Sequence, residues 1–357
     1  MNVVAGCIDC DIHPTLPGLC ALFPYLPAFW QETFAARGMH ELVPNLYPPA
    51  APLTVRPDWR PQAGPPAQLQ QIREHVLDHF ETRLAICNCL YGMQLLFSED
   101  MAAAIARAMN EWMARELLDR EPRLRASIVV PMQNTELAVE EIERWAPDRR
   151  FVQVLVLAMG DMPLGRRAYW PIYAAAERHN LPIGIHAGSN YHNPTTPTGW
   201  PSYHSEDYIN QAQGFQTQLG SLVYEGVFQR FSALRVVLIE SGFTWLPSCL
   251  WRLTKFWRGL RTEVPWVDRS PAEIVRAHVR LTLQPLDSPP EPAQFEHFWD
   301  HMGSDELLLF STDYPHWQFD GDAPLPPDLP ATLARKIMVD NPLATYPRLQ
   351  EAVPWTS

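Results

Sequence analysis

The feature that most constrains this chain is a rhythm. Eight short runs rich in Val, Ile and Leu recur along its 357 residues, and most are separated by a stretch long enough for a helix. They lie at residues 3–12, 84–90, 125–131, 151–157, 181–187, 235–241, 279–285 and 306–312. A nearly continuous apolar run, rather than an alternating one, marks a strand buried on both faces, as in a parallel sheet flanked by helices. Residues 102–118, 135–145, 169–180 and 331–341 carry apolar residues at helical spacing, and Asn134 or Thr135 is placed to cap the second of these. Eight strands alternating with helices predict a distorted (β/α)8 TIM-like barrel with long loops over its C-terminal face. The alternative, an open doubly wound sheet, lacks its usual marks: no G-x-G-x-x-G follows the first run, and no G-x-x-x-x-G-K-[ST] occurs.

Composition narrows the partners. Hydrophobic residues are 46% of the chain and charged residues 19%, which supplies a large core and argues against disorder. The net charge of -12, with no block of Lys or Arg, excludes nucleic acid and an anionic membrane surface as expected partners and leaves a small-molecule substrate. No run of about 18 apolar residues occurs, and the first residues, MNVVAGCIDCDIHP, carry charge where a secretory signal is apolar, so a cytoplasmic location is expected. The six cysteines include one C-x-x-C, Cys7 to Cys10, without a second pair, and are read as buried free thiols. A Trp-rich stretch at 245–266 raises a homodimer as a further partner, although core packing accounts for it equally well.

Two segments fit neither strand nor helix. Residues 43–66 and 188–207 are rich in Pro and aromatic residues and are expected to form an active-site lid on a single barrel domain spanning 1–357. Tyr47, Trp59, Trp200 and Tyr203 would make that lid apolar, and His192 and His204 lie in its second half.

The polar residues fall at the ends of the apolar runs. Asp9, Asp11 and His13 alternate in CIDCDIHP, so Asp11 and His13 share one face of a strand, with Asp9 one pleat deeper as a buried structural carboxylate. His186 ends PIGIHAGS, Glu240 ends VVLIES, and Asp313, with His316 three residues on, ends LLLFSTDYPHW. Four strand ends thus deliver carboxylates and imidazoles to one rim, where barrel active sites form. Burying so much charge together is costly unless a cation compensates it, which points to a shared divalent metal.

These motifs, DIH, GIHAG and STDYPH, resemble the amidohydrolase superfamily, in particular the branch that contains aminocarboxymuconate-semialdehyde decarboxylase and related hydrolases, over essentially the whole chain. The resemblance implies that Asp11, His13 and His186 hold one divalent ion, Zn²⁺ ahead of Mn²⁺ or Fe²⁺, with Asp313 as a further ligand or as the general base on the metal's water. Decarboxylases of this branch normally end strand six in a catalytic His, some with a Glu three residues later. Here that run is Glu240-Ser241-Gly242-Phe243, which tilts the expectation toward hydrolysis of a cyclic or aromatic amide or lactone. Decarboxylation of an aromatic or unsaturated acid is the alternative, and a non-catalytic ligand-binding barrel is a third reading. Glu240 and His316 are candidate catalytic residues beside Asp313, and Arg252, Trp245 and Trp317 are candidate substrate contacts. Lys255 and Lys336 are the only lysines, neither in a strand, so a lysine-bridged two-metal site is not expected.

Overall fold

The structure, a computed structural model, describes residues 4–42, 55–189, 192–289, 291–319, 321, 324–326 and 329–351. Eight strands run Ile8–Ile12 (β1), Leu84–Cys87 (β2), Leu124–Val129 (β3), Phe151–Met159 (β4), Ile183–Ser189 (β5), Val236–Ile239 (β6), Val279–Thr282 (β7) and Leu308–Leu309 (β8). Each pairs in parallel with the next, in the order of the sequence. The seam between β8 and β1 closes differently, by a bridge between Ile12 and Tyr314 and by backbone bonds from Cys10 N to Phe310 O (2.9 Å), Asp313 N to Asp11 O (3.1 Å) and His13 N to Tyr314 O (2.7 Å). Asp9 reinforces it: one oxygen accepts from Thr312 N at 3.0 Å and the other from Thr312 Oγ1 at 2.6 Å. The deep carboxylate expected to be structural therefore ties the last strand to the first.

Every residue of β1 to β4 is buried, and so are β6 to β8. That two-sided burial is why the runs lack alternation. Cys7, Cys10, Cys87, Cys89 and Cys249 are buried free thiols, while Cys20 is exposed. Burial pushes the thiols of Cys7 and Cys89 up to about 12, so neither is a nucleophile near neutrality.

Helices fill the connections. Glu99–Trp112 starts on Ser98, whose hydroxyl accepts from Met101 N, and runs on in a wider turn to Leu118. Thr135–Trp145 is capped by Asn134, whose Oδ1 accepts from Glu136 N (3.0 Å) and Leu137 N (3.1 Å). The second irregular segment ends earlier than expected, because the helix His204–Tyr224 begins inside it. Its first turn is secured by Glu206, which accepts from Tyr203 N at 2.9 Å. Residues 43–54, with Tyr47, lie outside the described residues. The rest of that segment lies against the barrel mouth: Val55 bridges His316, and Arg56 N donates to Pro315 O at 2.9 Å. Trp59 is buried there against Tyr314, with ring centroids 4.8 Å apart, whereas Trp200 and Tyr203 are exposed. Among the described residues no helix is long and apolar enough to cross a membrane.

Candidate metal centre

Six side chains meet at the C-terminal mouth of the barrel. Asp11 and His13 come from β1 and the residue after it, His186 from β5, Glu240 from the end of β6, and Asp313 and His316 from the turn after β8. Two overlapping groups have donor atoms close enough to share an ion: Asp11, His13, His186 and Glu240, and His13, Glu240, Asp313 and His316.

The spacings are those of a coordination shell. His13 Nε2 lies 3.2 Å from Asp11 Oδ1, 3.0 Å from Glu240 Oε1 and 3.2 Å from Asp313 Oδ1. His186 Nε2 lies 3.3 Å from Glu240 Oε1 and 3.7 Å from Asp11 Oδ1. Ligand bonds of about 2.1 Å give ligand–ligand edges of roughly 3.0 Å in an octahedron and 3.4 Å in a tetrahedron. The atoms are near one another without being aligned as hydrogen bonds. Asp11 Oδ2, His13 Nε2, His186 Nε2, Glu240 Oε1 and Asp313 Oδ2 are all buried without a hydrogen-bond partner. Among them His13 Nε2 and His186 Nε2 both lie against Glu240 Oε1, at 3.0 and 3.3 Å, and such a group of buried orphaned atoms would be very costly in a folded protein unless a cation satisfies them.

The imidazoles are oriented for this. His13 Nδ1 lies 3.0 Å from the carbonyl of Asn88, and His186 Nδ1 2.7 Å from the carbonyl of Ala187. A carbonyl only accepts, so each Nδ1 carries a hydrogen and each Nε2 is the ring atom that faces inward, free to bind an ion once its own proton has left. The donor set therefore fits a divalent metal ion.

Electrostatics carry the same imprint. Burial works against charge on His186, yet Glu240 and Asp11 outweigh it and hold the imidazole up at about 10. His316 is held at about 9, burial again being overcome, chiefly by Asp313. Asp313 goes the other way: burial and the neighbouring Glu240 carboxylate push it up to about 6. Its Oδ1 sits 2.5 Å from His316 Nδ1. Glu240 and Asp313 also share a backbone peculiarity, with φ of +56° and +55°. Such left-handed conformations are uncommon for residues with a Cβ and gather at functional sites.

The other expected site residues fare unevenly. Trp245 donates its indole N–H to Ser241 O at 2.9 Å, holding the turn after Glu240. Trp317 is half exposed beside Tyr208, ring centroids 6.3 Å apart. Arg252 is set apart from the six: it lies on the exposed face of the helix Leu246–Leu260, its guanidinium over Phe256, because the opposite face, with Leu246 and Leu250, packs inward. His192 stacks on Phe97 and contacts Asp161. Sequence reasoning passed over Asn88, which donates to Asp11 Oδ1 at 2.8 Å. The signal was there in ICNCLY, a lone carboxamide at the end of an apolar run.

Fold and site together define a (β/α)8 barrel whose C-terminal mouth carries a donor set for a divalent cation. The chain matches the amidohydrolase family model over residues 8–348, and it belongs to that family. It is 26% identical over 210 residues to the gamma-resorcylate decarboxylase of Polaromonas sp. (strain JS666 / ATCC BAA-500), a stretch covering 55% of this chain and 62% of that protein. It is 26% identical over 223 residues to the enzyme of that name from Rhodococcus jostii (strain RHA1), covering 57% and 63%. The chain thus spans less than two thirds of the length of these relatives. Among solved structures, an amidohydrolase from Mycobacterium avium subsp. paratuberculosis K-10 superposes with a TM-score of 0.72 at 21% identity, covering 96% of this chain and 99% of that one. A dihydroxybenzoic acid decarboxylase from Polaromonas sp. JS666, with bound manganese and the inhibitor 2-nitroresorcinol, gives 0.67 at 18% identity, covering 99% and 100%.

Proposed function

We propose that the protein is a metal-dependent decarboxylase of a hydroxylated aromatic acid, a reading that places decarboxylation ahead of the hydrolysis expected from the Glu240 run. The observation that carries it is the Asp313–His316 pair: a wholly buried carboxyl at 2.5 Å from a partly exposed imidazole, at the edge of the cation donor set. Replacing an aryl carboxylate by hydrogen needs one proton delivered to the ring carbon and yields the arene and CO₂. A buried carboxyl that the adjoining imidazole can recharge is placed to give that proton. The curated relatives named above are decarboxylases, which supports the same reaction class.

Asp11, His13, His186 and Glu240 would hold the ion. When bound, it supplies positive charge to anchor the substrate's carboxylate and an adjacent phenolic oxygen. Asp313 donates its proton to the ring carbon, the carbon–carbon bond breaks, and its electron pair restores the aromatic ring. His316, with a side chain 22% exposed, then returns a proton from solvent to Asp313. Trp59 and residues 55–59, lying on the mouth, would keep water from the ring. A donor set of two carboxylates and two imidazoles accommodates Mn²⁺ as well as Zn²⁺. Manganese in the Polaromonas structure agrees.

The test is to incubate the manganese-loaded protein with 2,6-dihydroxybenzoate and a panel of other ortho-hydroxybenzoates. Release of CO₂ and the matching phenol, without solvent ¹⁸O in the phenol, is expected. Turnover of amides or lactones with ¹⁸O incorporation, and no CO₂ from any acid, would restore hydrolysis.

A further inference from the structure

Beneath the donor set, a belt of neutral polar side chains runs round half of the barrel interior. Asn88, the residue after β2, donates through Nδ2 to Asp11 Oδ1 at 2.8 Å. Its own Oδ1 accepts from Ser127 Oγ of β3 at 2.5 Å and from Gln153 Nε2 of β4 at 3.1 Å. Gln153 Nε2 also donates to Ser127 Oγ at 2.8 Å, and its Oε1 accepts from Tyr346 Oη at 3.3 Å. Asn88, Ser127, Gln153 and Tyr346 are wholly buried. The belt reaches β5 as well: a Cβ at Gly184 would lie 2.7 Å from Gln153 Oε1, so the glycine of this strand leaves room for the carboxamide.

This arrangement fixes which way Asn88 points. Turned over, its oxygen would face the Asp11 carboxylate and its N–H groups would face the donors of Ser127 and Gln153. The same residue holds the second donor of β1, because its backbone carbonyl accepts from His13 Nδ1. Asn88 therefore touches two of the donors through two different groups.

We infer that Asn88 is a positioning residue for the metal centre, aligning Asp11 through its carboxamide and His13 through its carbonyl, with Ser127, Gln153 and the space at Gly184 holding that carboxamide in one orientation. The inference rests on the reading of the six side chains as a metal site and is independent of the reaction assigned to it. Removing a hydrogen-bond partner of a metal ligand typically weakens metal binding by about 10- to 100-fold.

Asn88→Asp keeps the shape but turns a donor toward Asp11 into an acceptor. Gly184→Ala leaves Asn88 untouched and crowds Gln153 Oε1 at 2.7 Å, and with it Ile239 Cδ1 at 2.9 Å. Mn²⁺ affinity is measured by the paramagnetic resonance of the free ion, and the ligand field by the visible absorption of the Co²⁺-loaded protein. Asn88→Asp is expected to bind Mn²⁺ about 10- to 100-fold more weakly, with a changed Co²⁺ spectrum, and Gly184→Ala to shift both in the same direction by less. A folded Asn88→Asp protein with Mn²⁺ affinity within about threefold of the parent and the parental Co²⁺ spectrum would overturn the inference. If that variant does not fold, unchanged affinity and spectrum in Gly184→Ala overturn it. A parent protein that binds neither ion removes the metal-site reading and the inference with it.

Discussion

Glu240 and Asp313 occupy left-handed backbone positions that cost on the order of 1–3 kcal/mol each. Neighbouring bonds hold them there: Glu240 N donates to Thr282 Oγ1 at 3.0 Å, Asp313 N to Asp11 O at 3.1 Å, and His316 N to Asp313 O at 2.8 Å. The kink turns each carboxylate toward the mouth instead of letting it continue the strand's alternation. Asp313→Asn keeps this geometry while removing the transferable proton. It is expected to lower kcat by about a hundred- to ten-thousand-fold with an unchanged circular dichroism spectrum; wild-type turnover would remove Asp313 as the proton donor. His186→Ala takes away an inward-facing ring nitrogen and leaves Asp11 and Glu240 facing each other. Metal content after exhaustive dialysis is expected to fall well below one ion per chain, and full retention would exclude His186 as a ligand. The donors were legible in the sequence because a charged residue closing an apolar run is conspicuous. Their backbone angles were not, since nothing in VVLIES or FSTDY requires a positive φ.

At the level of elements, the strands could be read because burial on both faces leaves an uninterrupted apolar run. The helix His204–Tyr224 could not. Its apolar anchors, Phe215, Leu219, Leu222 and Val223, sit in its second half, while its first half buries Asp207 and Gln211. Gln211 accepts from Gly188 N at 3.1 Å, so a polar helical face serves the loop just after His186. Strand β8 is also shorter than its apolar run, because Phe310 N turns away to Ile337 O and Thr312 pairs with the Asp9 side chain. Where the cap was legible it makes a simple prediction. Asn134→Ala removes the acceptor for two N–H groups at the start of Thr135–Trp145 and is expected to cost about 1 kcal/mol, read as a lower denaturant midpoint at constant slope.

For the molecule as a whole, the metal-free centre and its protons are linked. Opposing burial, Glu240 and Asp11 hold His186 at about 10, so the metal-free protein carries an imidazolium there near neutrality. A ligand must be a bare imidazole, so binding an ion must release that proton. Apparent Mn²⁺ affinity is therefore expected to rise with pH through the neutral range. Calorimetry in buffers of different ionisation enthalpy checks it: proton uptake on binding, or affinity independent of pH, would contradict the linkage.

The barrel seam gives the ion a mechanical meaning. Between β4 and β5 the ladder runs unbroken from Val154 opposite Ile183 to Leu157 opposite His186, but the first and last strands meet through a few backbone bonds and the Asp9–Thr312 contact. Two of the ion's holders, Asp11 and His13, stand on one side of that joint, and Asp313 faces them from the other, its Oδ1 3.2 Å from His13 Nε2. A barrel that breathes will part there first, and a cation that pins Asp11 and His13 to His186 and Glu240 across the mouth braces the lip on which the seam bonds depend. Amide hydrogens of Cys10, His13, Thr312 and Asp313 should then exchange with deuterium much more slowly once manganese is added, while those in the middle of β4 keep their pace.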